Sequence, residues 1–115
     1  KKTFYTDHEI ILTANQGNEF YGNRIGSVWN FQTDVPSSYL HPTQKPVKLS
    51  ACAIEKTTRE GEIVLDVFGG SGSTMIACEQ LGRKCRMMEL DPHYCTVIIA
   101  RWEKLTGQKA IKLNP

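Results

Sequence analysis

The 115 residues contain no apolar run near the roughly 20 residues that a helix needs to cross a bilayer. No charged leader followed by an apolar stretch opens the sequence, so a cytoplasmic location and no membrane partner are expected. Cysteine is sparse and scattered: Cys52, Cys78, Cys85 and Cys95 show no Cys-x-x-Cys spacing, which argues against both a zinc ribbon and a disulfide framework. His8, His41 and His93 complete no ligand cluster, and no metal is expected. Charge of one sign is also lacking. A net +2 does not by itself identify a nucleic-acid partner, and Lys1, Lys2, Lys109 and Lys112 near the two ends read as solvated charge. There is no internal repeat and no low-complexity segment. The hydrophobic share, 40%, is ordinary for a globular chain, so residues 1–115 are expected to form a single domain.

What the chain does have is concentrated between residues 63 and 89. An apolar run over 63–65 ends in Asp66, and Val67-Phe68-Gly69-Gly70-Ser71-Gly72-Ser73-Thr74 follows before a helical pattern begins. That order predicts a buried strand, a tight turn and a helix N-terminus facing whatever sits above the strand end. Residues 84–88 read as a second short strand ending in Glu89. A glycine turn followed at this distance by an acid suits a nucleoside, with backbone against the ligand and carboxylate on the ribose hydroxyls. Two familiar loops are disfavoured. Met75 stands where a dinucleotide fingerprint has its third glycine, and Ser73 where a phosphate-binding loop has its lysine. A glycine connection with no ligand, with Glu89 a solvated strand end, is the plainer alternative. Among ligands, a nucleoside without a pyrophosphate fits best, and S-adenosylmethionine first of these.

A second segment, His41-Pro42-Thr43-Gln44-Lys45-Pro46, precedes a helical pattern that runs to about Thr58. Thr43 or Gln44 can cap that helix and Pro46 suits its first turn. Val47, Ala51, Ile54 and Thr58 share one face. Lys45 either binds a ligand carboxylate, such as a methionine tail, or is an exposed part of a capping sequence. Elsewhere, residues 3–14 alternate and read as a strand or hairpin arm with 8–12 buried. Residues 15–26 read as a loop, 26–31 as a short strand and 34–39 as a turn. Helices are expected over 73–81, stopped by Gly82, and from Asp91 as N-cap to Thr106, stopped by Gly107. On the latter, Tyr94, Val97, Ile98, Arg101 (by its stem), Trp102 and Leu105 line one face.

The string from His41 to Pro46, the loop from Leu65 to Thr74, and Glu89-Leu90-Asp91 with Tyr94 together resemble the C-terminal part of DNA N6-adenine and N4-cytosine methyltransferases. The matching order is the one with the catalytic motif first, target recognition in the middle and cofactor binding last. The ending Arg101-Trp102-Glu103-Lys104-Leu105-Thr106-Gly107 is similar to phage and prophage adenine methylases. The resemblance covers about the last two thirds of the chain. It departs at Val67, where the family usually has proline, and at Met88, where a glycine often precedes the acid; the second implies a tighter fit around the ribose.

The resemblance implies an α/β chain with a partial Rossmann-like S-adenosylmethionine-dependent methyltransferase fold, three-layer α/β/α with a mixed sheet. Residues 1–40 would be a strand and loop region and 41–115 the S-adenosylmethionine-binding region of a C-terminal fragment. Asp66 and the backbone of Gly69, Gly70, Ser71 and Gly72 would hold the methionine part, with Thr43 and Lys45 near its carboxylate. Glu89 would take the ribose hydroxyls and Phe68 flank the cofactor, and His41 and Ser73 complete the implied set.

The implied function is site-specific DNA methylation, adenine N6 favoured over cytosine N4, with DNA and S-adenosylmethionine as partners. The family's catalytic motif, an acid, serine or asparagine before two prolines and an aromatic, does not occur. Asp91-Pro92-His93-Tyr94 is the only similar string, and its position reads as a helix cap. No catalytic residue is therefore assigned, and the chain alone is expected to be inactive. A non-enzymatic prophage remnant is the alternative. The strand ending at Asp66 would lack a neighbour, so a homodimer or a missing catalytic half is expected to cover its edge.

Overall fold

A computed structural model describes residues 8–17, 19–32 and 45–114. Its elements run α1 (Val47–Thr57), β1 (Ile63–Asp66), α2 (Ser73–Gln80), β2 (Lys84–Met87) and α3 (Pro92–Thr106). The two strands pair in parallel, Ile63 opposite Lys84 and Asp66 opposite Met87. Parallel pairing requires a crossover, and α2 supplies it. The described residues thus form a βαβ unit with α1 before it and α3 after it.

Side chains alternate across the two strands, and this alternation decides what is buried. Val64 and Cys85 face a core made by Ile54 on α1 with Ala77 and Cys78 on α2, and Val47, Ala51 and Leu81, the residue that ends α2, pack against it. Ile63 and Leu65 point to the opposite face, where they are 61% and 68% exposed. Lys84 and Arg86 are exposed beside them. Among the described residues, helices cover one face of the sheet only. The partial α/β fold stands, with one helical layer and a parallel pair in place of the fuller expectation.

Arg83 ties the helix ends together. Its guanidinium donates to the Leu81 carbonyl at 2.7 Å, the Thr58 carbonyl at 2.9 Å and the Thr58 hydroxyl at 3.1 Å. Carbonyls near the ends of α1 and α2, which lack an intrahelical partner by geometry, are satisfied by one fork.

The helix boundaries follow local chemistry. Asp91 caps α3 by accepting the His93 N–H, Pro92 occupies the first turn, and Gly107 ends the helix in the left-handed region. The expected face of α3 is borne out as far as Trp102, whereas Leu105 is exposed. The start of α1 is a correction. Pro46 itself is the N-cap, extended at ψ 136°, with no side-chain cap, so the helix begins one residue after the proline instead of through it. Thr43 and Gln44 lie outside the described residues.

The two expected N-terminal strands are also corrections. Residues 8–14 have no regular structure, with Ile10 79% and Leu12 90% exposed; residues 3–7 lie outside the described residues. Residues 26–31 turn locally, and the Trp29 indole N–H donates to the Gly26 carbonyl at 2.9 Å. Alternation marks a strand only where another strand offers its edge, and among the described residues none does so here. The expected loop at 15–26 is irregular throughout its described part. The Tyr21 N–H fastens it to α1 by donating to the Lys56 carbonyl at 2.9 Å, and Arg59, just beyond α1, stacks over the Tyr21 ring. The turn expected at 34–39 lies outside the described residues.

Cys78 and Cys85, both free thiols, meet between α2 and β2. Burial pushes both thiols up, Cys85 from 9.0 to about 12, with Cys78 beside it adding to the shift. An unfolded thiol ionises near 9.0 while the folded one keeps its proton, so the folded state binds more protons between pH 9 and 12 and stability falls as pH rises through that window. Urea midpoints followed from pH 9 to 12 are expected to drop more steeply for the wild type than for Cys85→Ala.

Candidate functional site

The parallel strands end side by side, and the site lies at those ends, where open α/β sheets hold ligands. The loop after β1 is built from backbone. Asp66, half-buried, accepts the Phe68 N–H on Oδ1 at 2.9 Å. The Gly69 N–H donates to the Met88 carbonyl at 2.8 Å and the Met88 N–H to the Asp66 carbonyl at 2.9 Å, extending the pairing of the strands into the loop. The Gly72 N–H closes the turn on the Gly69 carbonyl at 2.9 Å.

The glycines are there for room. A β-carbon at Gly69 would lie 2.8 Å from the Met87 side chain, and one at Gly72 would lie 3.0 Å from Ile98 on α3. Gly72 also has φ 86°, in the left-handed region, which costs other residues about 1–2 kcal/mol. It caps α2 with no side-chain hydrogen bond.

Glu89 follows β2 and reaches across to this loop. Its Oε2 accepts the Gly70 N–H at 2.7 Å, and its Oε1 accepts the Asp91 N–H at 2.9 Å. These two bonds orient the group, and a carboxylate, with about four acceptor positions, can receive hydroxyl donors as well. Asp66 and Glu89 thus flank the glycine turn, the first beside it in sequence and the second bonded to it. Phe68 stands outward, 88% exposed.

The two serines turn inward. Ser71 is buried beneath Arg101, whose Nη1 donates to its carbonyl at 2.7 Å and its hydroxyl at 3.2 Å. Ser73 is buried and donates to the Lys45 carbonyl at 2.7 Å. That bond brings the segment before α1 to the loop. The Lys45 ammonium meets both oxygens of Glu9, at 2.7 and 2.6 Å, so it is already engaged with a carboxylate. His41 and Thr43 lie outside the described residues.

Of the eleven residues named from sequence, Lys45, Asp66, Phe68, Gly69, Gly70, Ser71, Gly72, Ser73 and Glu89 are gathered around one turn. Three further residues shape it: Met87, Ile98 and Arg101. Helical spacing places Arg101 on the inward face of α3 but carries no signal for the Ser71 carbonyl it meets. Asp91 and Pro92 serve the helix cap, and Tyr94 is half-buried with the His93 ring edge-on at 5.2 Å. Among the described residues no group of three or more metal-ligating side chains occurs, and no helix is long and apolar enough to cross a membrane.

The profile of the N6/N4 DNA methylase family matches residues 1–101. The chain belongs to that family. It is 32% identical over 98 residues to the type II methyltransferase M.Cfr9I of Citrobacter freundii, covering 85% of this chain and 32% of that protein. It is 38% identical over 103 residues to the type II methyltransferase M2.DpnII of Streptococcus pneumoniae, covering 90% of this chain and 38% of that one. The chain therefore spans about a third of the length of these curated relatives.

Among solved structures, the M1.HpyAVI–SAM complex superposes with a TM-score of 0.64 at 28% identity, over 73% of this chain and 43% of that one. A DNA modification methylase of Thermus thermophilus, complexed with S-adenosyl-L-methionine, gives 0.51 at 32% identity, over 52% of this chain and 25% of that one. The partial Rossmann-like fold expected from the motifs is the fold these neighbours have.

The cost of crowding at Gly72 separates from that of its backbone angle by a control. Gly107 has φ 71° with nothing within 4 Å of a β-carbon, so Gly107→Ala is expected to cost only the left-handed penalty of about 1–2 kcal/mol. Gly72→Ala is expected to cost more, because Ile98 must also move. Urea denaturation of the two variants measures the difference.

Proposed function

We propose that this chain is the S-adenosylmethionine-binding part of a DNA methyltransferase that acts on an exocyclic amine, adenine N6 in preference to cytosine N4. The observation that carries the reading is the Glu89 carboxylate held on Gly70 at 2.7 Å, at the ends of adjacent parallel strands. It puts an oriented, half-buried acceptor next to a glycine turn held tightly against Met87 and Ile98.

The donor and acceptor set fits that cofactor. Glu89 would accept the ribose hydroxyls, and Asp66 with the backbone of residues 69–72 would hold the methionine part. Lys45 would neutralise a carboxylate by exchanging Glu9 for it, with His41 and Thr43 close in sequence. Phe68 would lie along the ligand as an exposed aromatic face. Ser71 and Ser73 act one step back, since their hydroxyls are engaged with Arg101 and the Lys45 carbonyl. Bound there, S-adenosylmethionine supplies an electrophilic methyl group, and the protein's contribution is alignment with the incoming amine. A target base has to leave the duplex stack to be reached, at a cost of a few kcal/mol.

The sequence contains no catalytic string of the family, and the one similar stretch is engaged in capping α3. A second piece of chain would therefore carry the base-binding and catalytic groups. Among the described residues β1 pairs only with β2, leaving an edge and the exposed Ile63 and Leu65 for such a piece or for a second copy. Sedimentation of the isolated chain is expected to find self-association; a monomer at high concentration would contradict that part of the reading.

Glu89→Ala is the direct test. A hydrogen bond to a charged group is worth about 1.5–3 kcal/mol, so calorimetry should find S-adenosylmethionine bound roughly tenfold or more weakly. Unchanged affinity would remove Glu89 from the site.

A further inference from the structure

α3 meets the glycine loop through two residues almost one turn apart. Ile98 occupies the volume that side chains at Gly69 and Gly72 would need. Arg101 acts differently: its Nη1 is shared between the carbonyl and the hydroxyl of buried Ser71. A carbonyl turned into the protein within a tight loop needs a donor, and here the donor is a charged group from an element remote in sequence. On the other flank Ser73 is fastened to the Lys45 carbonyl. Between these two anchors and the strand end lies the peptide whose Gly70 N–H holds Glu89.

We propose that Arg101 is a positioning residue for the cofactor. By gripping the Ser71 peptide it fixes the turn of residues 69–72. That fixes the direction of the Gly70 N–H, and through it the Glu89 carboxylate is aimed at the ribose. Arg101 touches no ligand itself. α3 thereby becomes part of the binding apparatus, and its distance from the loop is set by Ile98 and its registration by Arg101. The inference rests on the cofactor reading above.

The test uses Arg101→Met, which keeps an unbranched stem and removes the donor, with Arg101→Lys as the conservative variant and Arg101→Gln should the methionine variant fail to fold. Two readouts are taken on the protein: calorimetric affinity for S-adenosylmethionine, and amide hydrogen exchange without ligand. Loss of one charge-assisted bond predicts about tenfold weaker binding in Arg101→Met. Exchange at residues 69–73 is expected to rise by a similar factor while exchange at Ile54 and Val64 stays at the wild-type rate. Arg101→Lys restores a cation without the planar fork and is expected to recover most of both losses.

Wild-type affinity and wild-type loop exchange in Arg101→Met would overturn the inference. So would acceleration spread evenly through loop and core, which is the signature of a merely structural bond. If the wild type binds no S-adenosylmethionine, the cofactor reading fails, and the positioning role fails with it. If the wild type binds and Arg101→Met binds equally well, only the role of Arg101 fails.

Discussion

The close approach of α3 to the turn after β1 is the constraint on which the rest of the site depends. Met87 and Ile98 fill the space beside Gly69 and Gly72, so neither position can carry a β-carbon without something shifting. With side chains excluded, the turn is short enough for the Gly70 N–H to reach Glu89 at the end of the neighbouring strand. The same packing buries Gly69 and Gly72 in the turn. A glycine-rich turn read as an adaptation to a ligand is thus equally an adaptation to a helix, and the two requirements coincide because the loop is only one peptide thick.

The same economy governs the polar groups. Both oxygens of Glu89, both serine hydroxyls and the Ser71 carbonyl are engaged with neighbours from α3, from the segment before α1 or from the backbone of the loop and of the turn after β2. The neutral bond from Ser73 adds about 0.5–1.5 kcal/mol to stability and the bonds to the charged Glu89 and Arg101 about 1.5–3 kcal/mol each. Their larger effect is to fix direction. Elements separated by about thirty residues in sequence converge on one turn, so the site belongs to the fold as a whole, not to the motif that announces it.

The core and the third helix were legible in the sequence for physical reasons. The cap Asp91-Pro92, the stop at Gly107 and the apolar spacing from Tyr94 to Trp102 are local signals, and α3 obeys them. The loop with its flanking acids was equally plain, because strand end, turn and helix start must follow in that order. The described parts of the expected N-terminal strands, residues 8–14 and 26–31, are not strands for the opposite reason. Alternation over 3–14 and aromatic content over 26–31 describe a segment that would pair if an edge were offered, and pairing is a property of the partner. Arg101 was seen only as a stem on an apolar face, since nothing in its own helix reveals a carbonyl waiting across the gap. Pro46 stands one residue outside the helix that its chemistry suits, because the backbone remains extended there and turns helical only after it.

The measurement that reaches the central claim most directly is a crystal structure of the chain with S-adenosylmethionine. The account predicts density for the ligand over the turn of residues 69–72, its ribose hydroxyls on Glu89 and its methionine end toward Asp66 and Lys45. A ligand seated elsewhere on the chain, or an empty turn in crystals of a protein that binds it in solution, would contradict the account.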